Sequence, residues 1–294
     1  MMFYRRKILL ALLEACGGRL NNTDMEKLLF AYCKERGVNY YDFFPYRFGC
    51  FSFLSYQDKR VLAQQGYLSG GDSFVLEPRK SVFADLEDED KHFLREFVHR
   101  TSKLRGDALV RDIYLKYPYY ACRSEIKDHI LTTDELALVD SATSQEASSC
   151  LFTIGYEGLT IDAYVDKLIR HSVSVVIDVR RNPLSMKYGF SKTRFQSYLE
   201  RASVAYEHIP ELGIASSQRK NLETAHDYRS LFTKYAKTLP HSQGELARVQ
   251  QLLSKHRRAA LTCFESVATS CHRHKITEYL QSSDGWSTPI VHIA

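Results

Sequence analysis

The pattern of apolar positions changes about halfway along the chain. Residues 5–15 and 25–32 carry apolar side chains at helical spacing, and a further helix is predicted over about 54–65. Residues 66–76 read as a short hairpin with a Gly-Gly turn. The order of three helices and a hairpin predicts a mainly helical, winged-helix-like domain over residues 1–140.

After residue 150, short apolar runs alternate with amphipathic segments. Strands are predicted at 151–156, 173–179, 203–209, 259–264 and 289–293, and helices near 160–171, 191–202, 222–238, 244–257 and 271–281. Such alternation predicts right-handed crossovers and a parallel sheet covered on both faces, which is a three-layer α/β domain. Its longest β-branched run, 173–179, is typical of a strand buried on both faces.

Small polar residues separate these two halves. Residues 141–150 have the composition of a linker. The predicted organisation is therefore a helical domain over 1–140, a linker over 141–150 and an α/β domain over 151–294.

Composition narrows the class of protein. The chain is 44% apolar and 26% charged, as in soluble globular proteins, and it has no run long enough for a bilayer span. Its seven cysteines are scattered without Cys-x-x-Cys spacing, which favours a reduced, cytoplasmic setting over a disulfide framework or a zinc ribbon. No dinucleotide, P-loop, zincin or hydrolase signature is present, so neither a cofactor nor a metal is expected.

Charge is divided unevenly between the halves. Residues 1–150 carry 21 Lys and Arg against 22 Asp and Glu, whereas residues 151–294 carry 19 against 13 and so have a net charge of +6. The second half is therefore the candidate for an anionic partner, with nucleic acid, DNA first, as the expected class and no membrane partner.

Candidate side chains cluster where the predicted strands end, because open α/β sheets bind ligands at that edge. Tyr156 and Glu157 follow the first strand, and Asp178, Arg180 and Arg181 end the second. Asp178 or Glu157 is expected to activate water, Tyr156 to stack on a base and the arginines to grip phosphate. The alternative for the second strand is an internal Asp–Arg ion pair that holds the loop.

Three later segments add further candidates. A helix N-terminus at Ser191, flanked by Lys187 and Lys192, favours a phosphate site. His208 ends the third strand and Glu265 the fourth, and both are catalytic candidates. Next to them, the Cys271-His272-Arg273 triplet opens a helix; it fits a basic clasp for an anion or, with a favoured thiolate, a nucleophile. His272 and His274 diverge on a helix and do not jointly hold zinc.

Residues 151–294 resemble the domain-of-unknown-function family 488. The matching blocks are Thr153-Ile154-Gly155-Tyr156-Glu157-Gly158, Asp178-Val179-Arg180, Phe190-Ser191-Lys192, His208-Ile209-Pro210-Glu211-Leu212-Gly213, Cys263-Phe264-Glu265 and Cys271-His272-Arg273. The family has no settled chemistry. The resemblance implies a nucleic-acid or nucleotide substrate only by association, because relatives are often encoded near DNA-processing and phage-defence functions.

These observations predict a nucleic-acid-processing enzyme, with hydrolytic base excision by N-glycosidic cleavage, on modified phage DNA in host defence, as the leading reaction. The alternative is a non-catalytic nucleic-acid-binding or nucleotide-sensing regulator. A third hypothesis is a cysteine-dependent transferase that uses Cys271 or Cys263.

Overall fold

A computed structural model describes residues 2–78, 81–143, 148–219 and 222–293. The chain divides into two compact units, residues 1–144 and 145–294. The division falls inside the segment predicted as a linker. Residue 141 of that segment still belongs to a helix and residue 150 begins a strand, while residues 144–147 lie outside the described part of the chain.

The N-terminal unit is mainly helical, as predicted. Its helices are α1 (Tyr4–Ala15), α2 (Asn22–Arg36), α3 (Phe53–Gln64), α4 (Asp88–Thr101), α5 (Gly106–Lys116), α6 (Lys127–Ile130) and α7 (Thr133–Ser141). Its strands are β1 (Arg19–Leu20), β2 (Phe44–Tyr46), β3 (Gly49–Phe51) and β4 (Phe74–Val75). The aromatic residues of this half are largely core, because Phe30, Tyr32, Phe44 and Tyr114 are fully buried.

Two small antiparallel sheets complete the N-terminal unit. Strand β4 pairs with β1, and a bridge between Leu68 and Leu76 brings the two sides of the predicted hairpin together. Strands β2 and β3 form a second hairpin from residues 40–53, a segment rich in tyrosine and phenylalanine. The winged-helix assignment stays a prediction, since this second hairpin stands between α2 and α3.

The C-terminal unit alternates strand and helix. Its strands are β5 (Cys150–Gly155), β6 (Val175–Asp178), β7 (Ala205–His208), β8 (Arg258–Cys263) and β9 (Ile290–Ile293). Its helices are α8 (Ile161–Arg170), α9 (Lys192–Arg201), α10 (Ala225–Ala236), α11 (Gln243–His256) and α12 (His272–Gln281). Within the described residues, no helix has the length and apolar content that crossing a bilayer requires.

The five strands form one parallel sheet in the order β7-β6-β8-β5-β9, which confirms the predicted α/β fold class. Side chains alternate between its faces. Val175, Ile177 and Leu261 pack in a core with residues of α10, α11 and α12. The opposite face meets α8 through a hydrogen bond of 2.8 Å from the Tyr164 hydroxyl to Thr262 Oγ1.

All five strands end at the same edge, here called the carboxyl edge. At this edge the loop that follows β8 passes very close to the end of β5. A Cβ atom on Gly155 would lie 1.8 Å from the Glu265 carbonyl oxygen. Glycine at position 155 therefore allows the β8–α12 loop to lie over the edge.

We expect the Gly155→Ala variant to lose about 3 kcal/mol or more of unfolding free energy, because backbone rather than a flexible side chain occupies the space of the new methyl group. Gly244→Ala is the matched control. Position 244 lies in α11, and a Cβ atom added there would have no neighbour within 4 Å, so alanine is expected to be neutral or stabilising. Urea unfolding of both variants measures the difference, and equal midpoints would contradict the close approach.

Candidate functional site

A buried ion pair lies at the end of β6. Asp178 is 0% exposed and accepts hydrogen bonds from Arg180 Nε at 2.8 Å and Arg180 Nη2 at 2.6 Å. The backbone N–H of Arg180 and the hydroxyl of Tyr206 also donate to this carboxylate, at 3.0 and 2.8 Å. Both carboxylate oxygens of Asp178 thus accept hydrogen bonds from the protein. This arrangement is the internal Asp–Arg ion pair that the sequence analysis gave as the alternative.

The guanidinium of Arg180 ties this pair to the neighbouring loops. Its Nη1 donates to the Tyr156 hydroxyl at 2.9 Å and to the Phe190 carbonyl at 2.8 Å. Burial by itself would lower the pKa of Arg180, but the hydrogen bonds and charge of Asp178 raise it above its ordinary value. Arg180 is therefore an internal cation, and four of its five N–H groups donate to Asp178, Tyr156 and Phe190 inside the protein.

Tyr156 belongs to the same buried network. It is 3% exposed, and its ring stacks on Phe190 with centroids 4.3 Å apart and an angle of 11°. The expectation that Tyr156 stacks on an extruded base finds no open ring face in this structure, because Phe190 covers one face, Arg180 Cζ lies 5.0 Å from the ring centroid and the residue is almost fully buried. The sequence pattern did not indicate Phe190 and Tyr206 as the partners of Tyr156 and Asp178.

The next residue, Glu157, is exposed at the carboxyl edge. Its Oε2 accepts hydrogen bonds from the backbone N–H and hydroxyl of Ser266, at 2.9 and 3.1 Å, and the N–H lowers the pKa of the carboxyl group. Lys187 lies nearby and donates to the Tyr156 carbonyl at 2.9 Å. Partial burial lowers the pKa of Lys187, and the charge of Glu157 opposes that effect.

Two other predicted cations are exposed near the same edge. Arg181 donates to the Pro210 carbonyl at 3.4 Å, and Lys192 Nζ lies 3.0 Å from His208 Nδ1. His208 Nε2 lies 2.9 Å from the Arg180 carbonyl, so Nε2 carries the proton and Nδ1 accepts from Lys192. His208 therefore positions Lys192 and the loop after β6. Ser191 bonds to Ser185 across the loop rather than to the helix it precedes.

The Cys271-His272-Arg273 triplet is buried, contrary to the expectation that it grips an anion at the surface. Cys271, His272 and Arg273 are each at most 1% exposed. Arg273 donates to the carbonyls of Glu265 and Ser266, at 2.6 and 3.0 Å, and so holds the β8–α12 loop. Burial raises the pKa of Cys271 well above the ordinary value of a thiol, so the thiolate expected at this helix start is disfavoured.

The two clusters lie on opposite faces of the sheet. Asp178 is aligned with Thr262, whose side chain faces α8, while Cys263 is one residue further along β8 and faces α12. Glu265 lies in the loop between them, with its Oε2 3.4 Å from Cys263 Sγ. The predicted residues thus meet at one edge but do not line a single crevice.

Residues 160–280 match the family model described as "Domain of unknown function DUF488". Most of the C-terminal unit is thus similar to this family, and we call this unit the DUF488 domain. Five of the six sequence blocks lie inside the match, and the block from Thr153 to Gly158 precedes it. No curated protein and no solved structure matches the chain.

The DUF488 domain also has a cavity of about 540 Å³ beside α10. Its lining includes Glu211, Asp227, Lys234 and Tyr235. Of these only Glu211 belongs to one of the blocks that carry the family resemblance. The others lie on α10, in a segment whose pattern predicts only an amphipathic helix, so no motif marked them.

We expect Asp178→Asn to destabilise the DUF488 domain by about 3–5 kcal/mol, because it leaves the Arg180 charge buried without its partner. Tyr206→Phe, which removes one neutral donor to the same carboxylate, is the control and should cost about 1 kcal/mol. Chemical unfolding measures both. An Asp178→Asn protein as stable as the unchanged chain would show that the ion pair does not hold this edge.

Proposed function

We propose that the DUF488 domain binds nucleic acid, DNA first, at its carboxyl edge and hydrolyses an N-glycosidic bond there. One observation supports this proposal above the others. Glu157 presents an exposed carboxylate near Lys187, at the same carboxyl edge as Arg181 and Lys192, and none of these three cations makes an ion pair with a described residue. A negatively charged backbone fits these cations, and the carboxylate is available to a water molecule.

An exposed ring takes the stacking role that Tyr156 does not fill. Phe264 is 43% exposed, and its ring packs edge-on against Tyr156 with centroids 5.4 Å apart. Its carbonyl accepts the Glu157 backbone N–H at 2.9 Å, so the ring and the carboxylate come from directly paired residues. A base extruded onto Phe264 would bring its glycosidic bond toward Glu157.

The lowered pKa of Glu157 is consistent with a base and not with an acid at neutral pH. A carboxyl group whose pKa is lowered stays ionised as the pH falls until it reaches that lower value. We assign Glu157 to the activation of water. We assign Asp178 a structural role, in which its buried ion pair with Arg180 stabilises the carboxyl edge. Glu265, half-buried beside Cys263, is not needed as a second carboxylate in this assignment.

We expect Glu157→Gln to reduce abasic-site formation by about 100-fold or more, because general-base assistance contributes that much to hydrolysis. The substrates are DNA duplexes and single strands with unmodified bases or with the modified bases of phage DNA. Alkaline cleavage of end-labelled strands measures the abasic sites. Glu223→Gln, at an exposed carboxylate before α10, is the matched control and should retain full activity.

Phe264→Ala tests the stacking role in the same assay. The substitution removes the exposed ring and leaves the buried Tyr156–Phe190 stack in place, so loss of product with unchanged thermal stability is expected. Full activity of both the Glu157→Gln and Phe264→Ala proteins would rule out this catalytic arrangement.

We expect Arg181→Ala and Lys192→Ala each to weaken binding of a labelled 20-nucleotide DNA, and to lower the slope of log Kd against log salt concentration by about one. Lys255→Ala is the control. Lys255 is exposed at the end of α11, just before β8 begins, and so belongs to the opposite edge of the sheet. Titrations at several salt concentrations measure the slopes, and equal losses at all three positions would contradict a localised binding edge.

A second candidate function is nucleic-acid or nucleotide binding without chemistry. The commitment of Asp178 and Tyr156 to internal bonds favours it, because two of the groups expected to act on substrate support the edge instead. This function would be supported by DNA binding that weakens with salt and depends on Arg181 and Lys192, together with no product from any of the substrates above. A cysteine-dependent transfer has less support, since the thiols of Cys263 and Cys271 are buried.

A further inference from the structure

Three buried side chains converge where β8 ends and α12 begins. Cys263 closes β8, Cys271 precedes α12 and His272 is the first residue of that helix. The two Sγ atoms and an imidazole nitrogen all lie within 4.8 Å of one another. None of the three contacts solvent appreciably, so the cluster is a closed site rather than part of the exposed edge.

The hydrogen bond on the far side of the imidazole determines which nitrogen faces the sulfurs. His272 Nε2 lies 3.1 Å from the Val179 carbonyl oxygen, which only accepts, so Nε2 carries the proton. Nδ1 then carries the lone pair, and it lies 3.7 Å from both Cys263 Sγ and Cys271 Sγ. A histidine held in this way by a backbone carbonyl is the usual arrangement of a metal ligand.

The distances fit a tetrahedral zinc ion. With Zn–S bonds of about 2.3 Å and a Zn–N bond of about 2.0 Å, tetrahedral geometry separates the sulfur and nitrogen atoms by about 3.6 Å. The observed separation of 3.7 Å, found twice, therefore needs almost no rearrangement of the side chains. Thiolate ligands select zinc over harder divalent ions, and imidazole also suits zinc, so this ligand set favours that ion.

Charge supports the same assignment. Arg273 is 0% exposed and forms no ion pair with a described residue, and its Nε has no hydrogen-bond partner there. Zinc with two thiolates is neutral, and a carboxylate as fourth ligand gives the centre a charge of −1. Glu265 lies outside the group of three, but its Oε2 is 3.4 Å from Cys263 Sγ, so a turn of this side chain would bring in that carboxylate, and the resulting anion would balance the neighbouring guanidinium.

We propose that Cys263, Cys271 and His272 bind one zinc ion, with Glu265 as the fourth ligand, in a structural site that anchors the β8–α12 loop. The ion displaces the two thiol protons, which are released to solvent, and forms two Zn–S bonds, one Zn–N bond and one Zn–O bond, with no change in oxidation state. The loop carries Ser266, which holds Glu157, so the site would also fix that carboxylate. This inference does not depend on which reaction, if any, the domain performs.

The test measures metal in the full chain purified from zinc-supplemented cells without a metal-affinity tag. We expect about one zinc per chain by mass spectrometry of the metal content, and less than about a tenth of that in Cys263→Ser and Cys271→Ser. Cys150→Ser is the matched control, because Cys150 is a buried thiol at the start of β5. It should keep the full zinc content.

A second measurement covers the case in which the serine variants fail to fold. Unchanged protein is stripped with a chelator and titrated with Co²⁺, which should give thiolate charge-transfer bands and tetrahedral visible bands that zinc then abolishes. Zinc should also raise the Tm of the stripped protein. Absence of both zinc and cobalt binding would overturn the proposal, as would a Cys263–Cys271 disulfide in the freshly isolated chain.

Discussion

The buried pair of Asp178 and Arg180 is the interaction on which the carboxyl edge depends. A carboxylate at the end of a central strand is costly to bury unless every oxygen is satisfied, and here a bidentate guanidinium and a tyrosine hydroxyl satisfy it. The same guanidinium reaches Tyr156 and the carbonyl of Phe190. One ion pair therefore joins the ends of β5, β6 and β7 with the loop before α9.

Other side chains at the carboxyl edge are exposed to solvent. Glu157, Phe264, Arg181 and Lys192 are exposed, and each is held by a bond from its backbone or side chain to a neighbouring loop. The arrangement separates the residues that support the fold from those of the proposed binding surface. The charges of Asp178 and Arg180 neutralise each other inside the fold, and the cations left at the surface remain available to an anionic ligand.

The β8–α12 loop connects the two levels. It passes over Gly155, places Ser266 against Glu157 and is held from the other face of the sheet by Arg273. The proposed zinc centre lies at the foot of this loop. A rigid loop matters for any chemistry at the edge, because a candidate base acts only where its carboxylate is held in position.

The sequence predicted the elements of the DUF488 domain better than the fold of the first unit. Every strand and helix of the DUF488 domain begins and ends within about three residues of its predicted bounds, because apolar alternation and amphipathic spacing are local properties of the chain. The winged-helix interpretation of the first unit is not decided by its elements, since the β2–β3 hairpin formed from a segment for which no strand was predicted.

The sequence by itself determined the parallel sheet and the edge at which its polar residues collect. Only the tertiary structure decided which of them are exposed. Asp178, Tyr156 and Arg273 are internal and Glu157 and Phe264 are at the surface, although all five follow strands or open a helix. Likewise Cys263 contacts His272, which is nine residues later in the chain. The sequence analysis compared His272 only with His274 on the same helix, and that comparison cannot reveal a contact with a strand. The physical reason is that burial and long-range contacts arise from how loops pack over the edge, which no local pattern encodes.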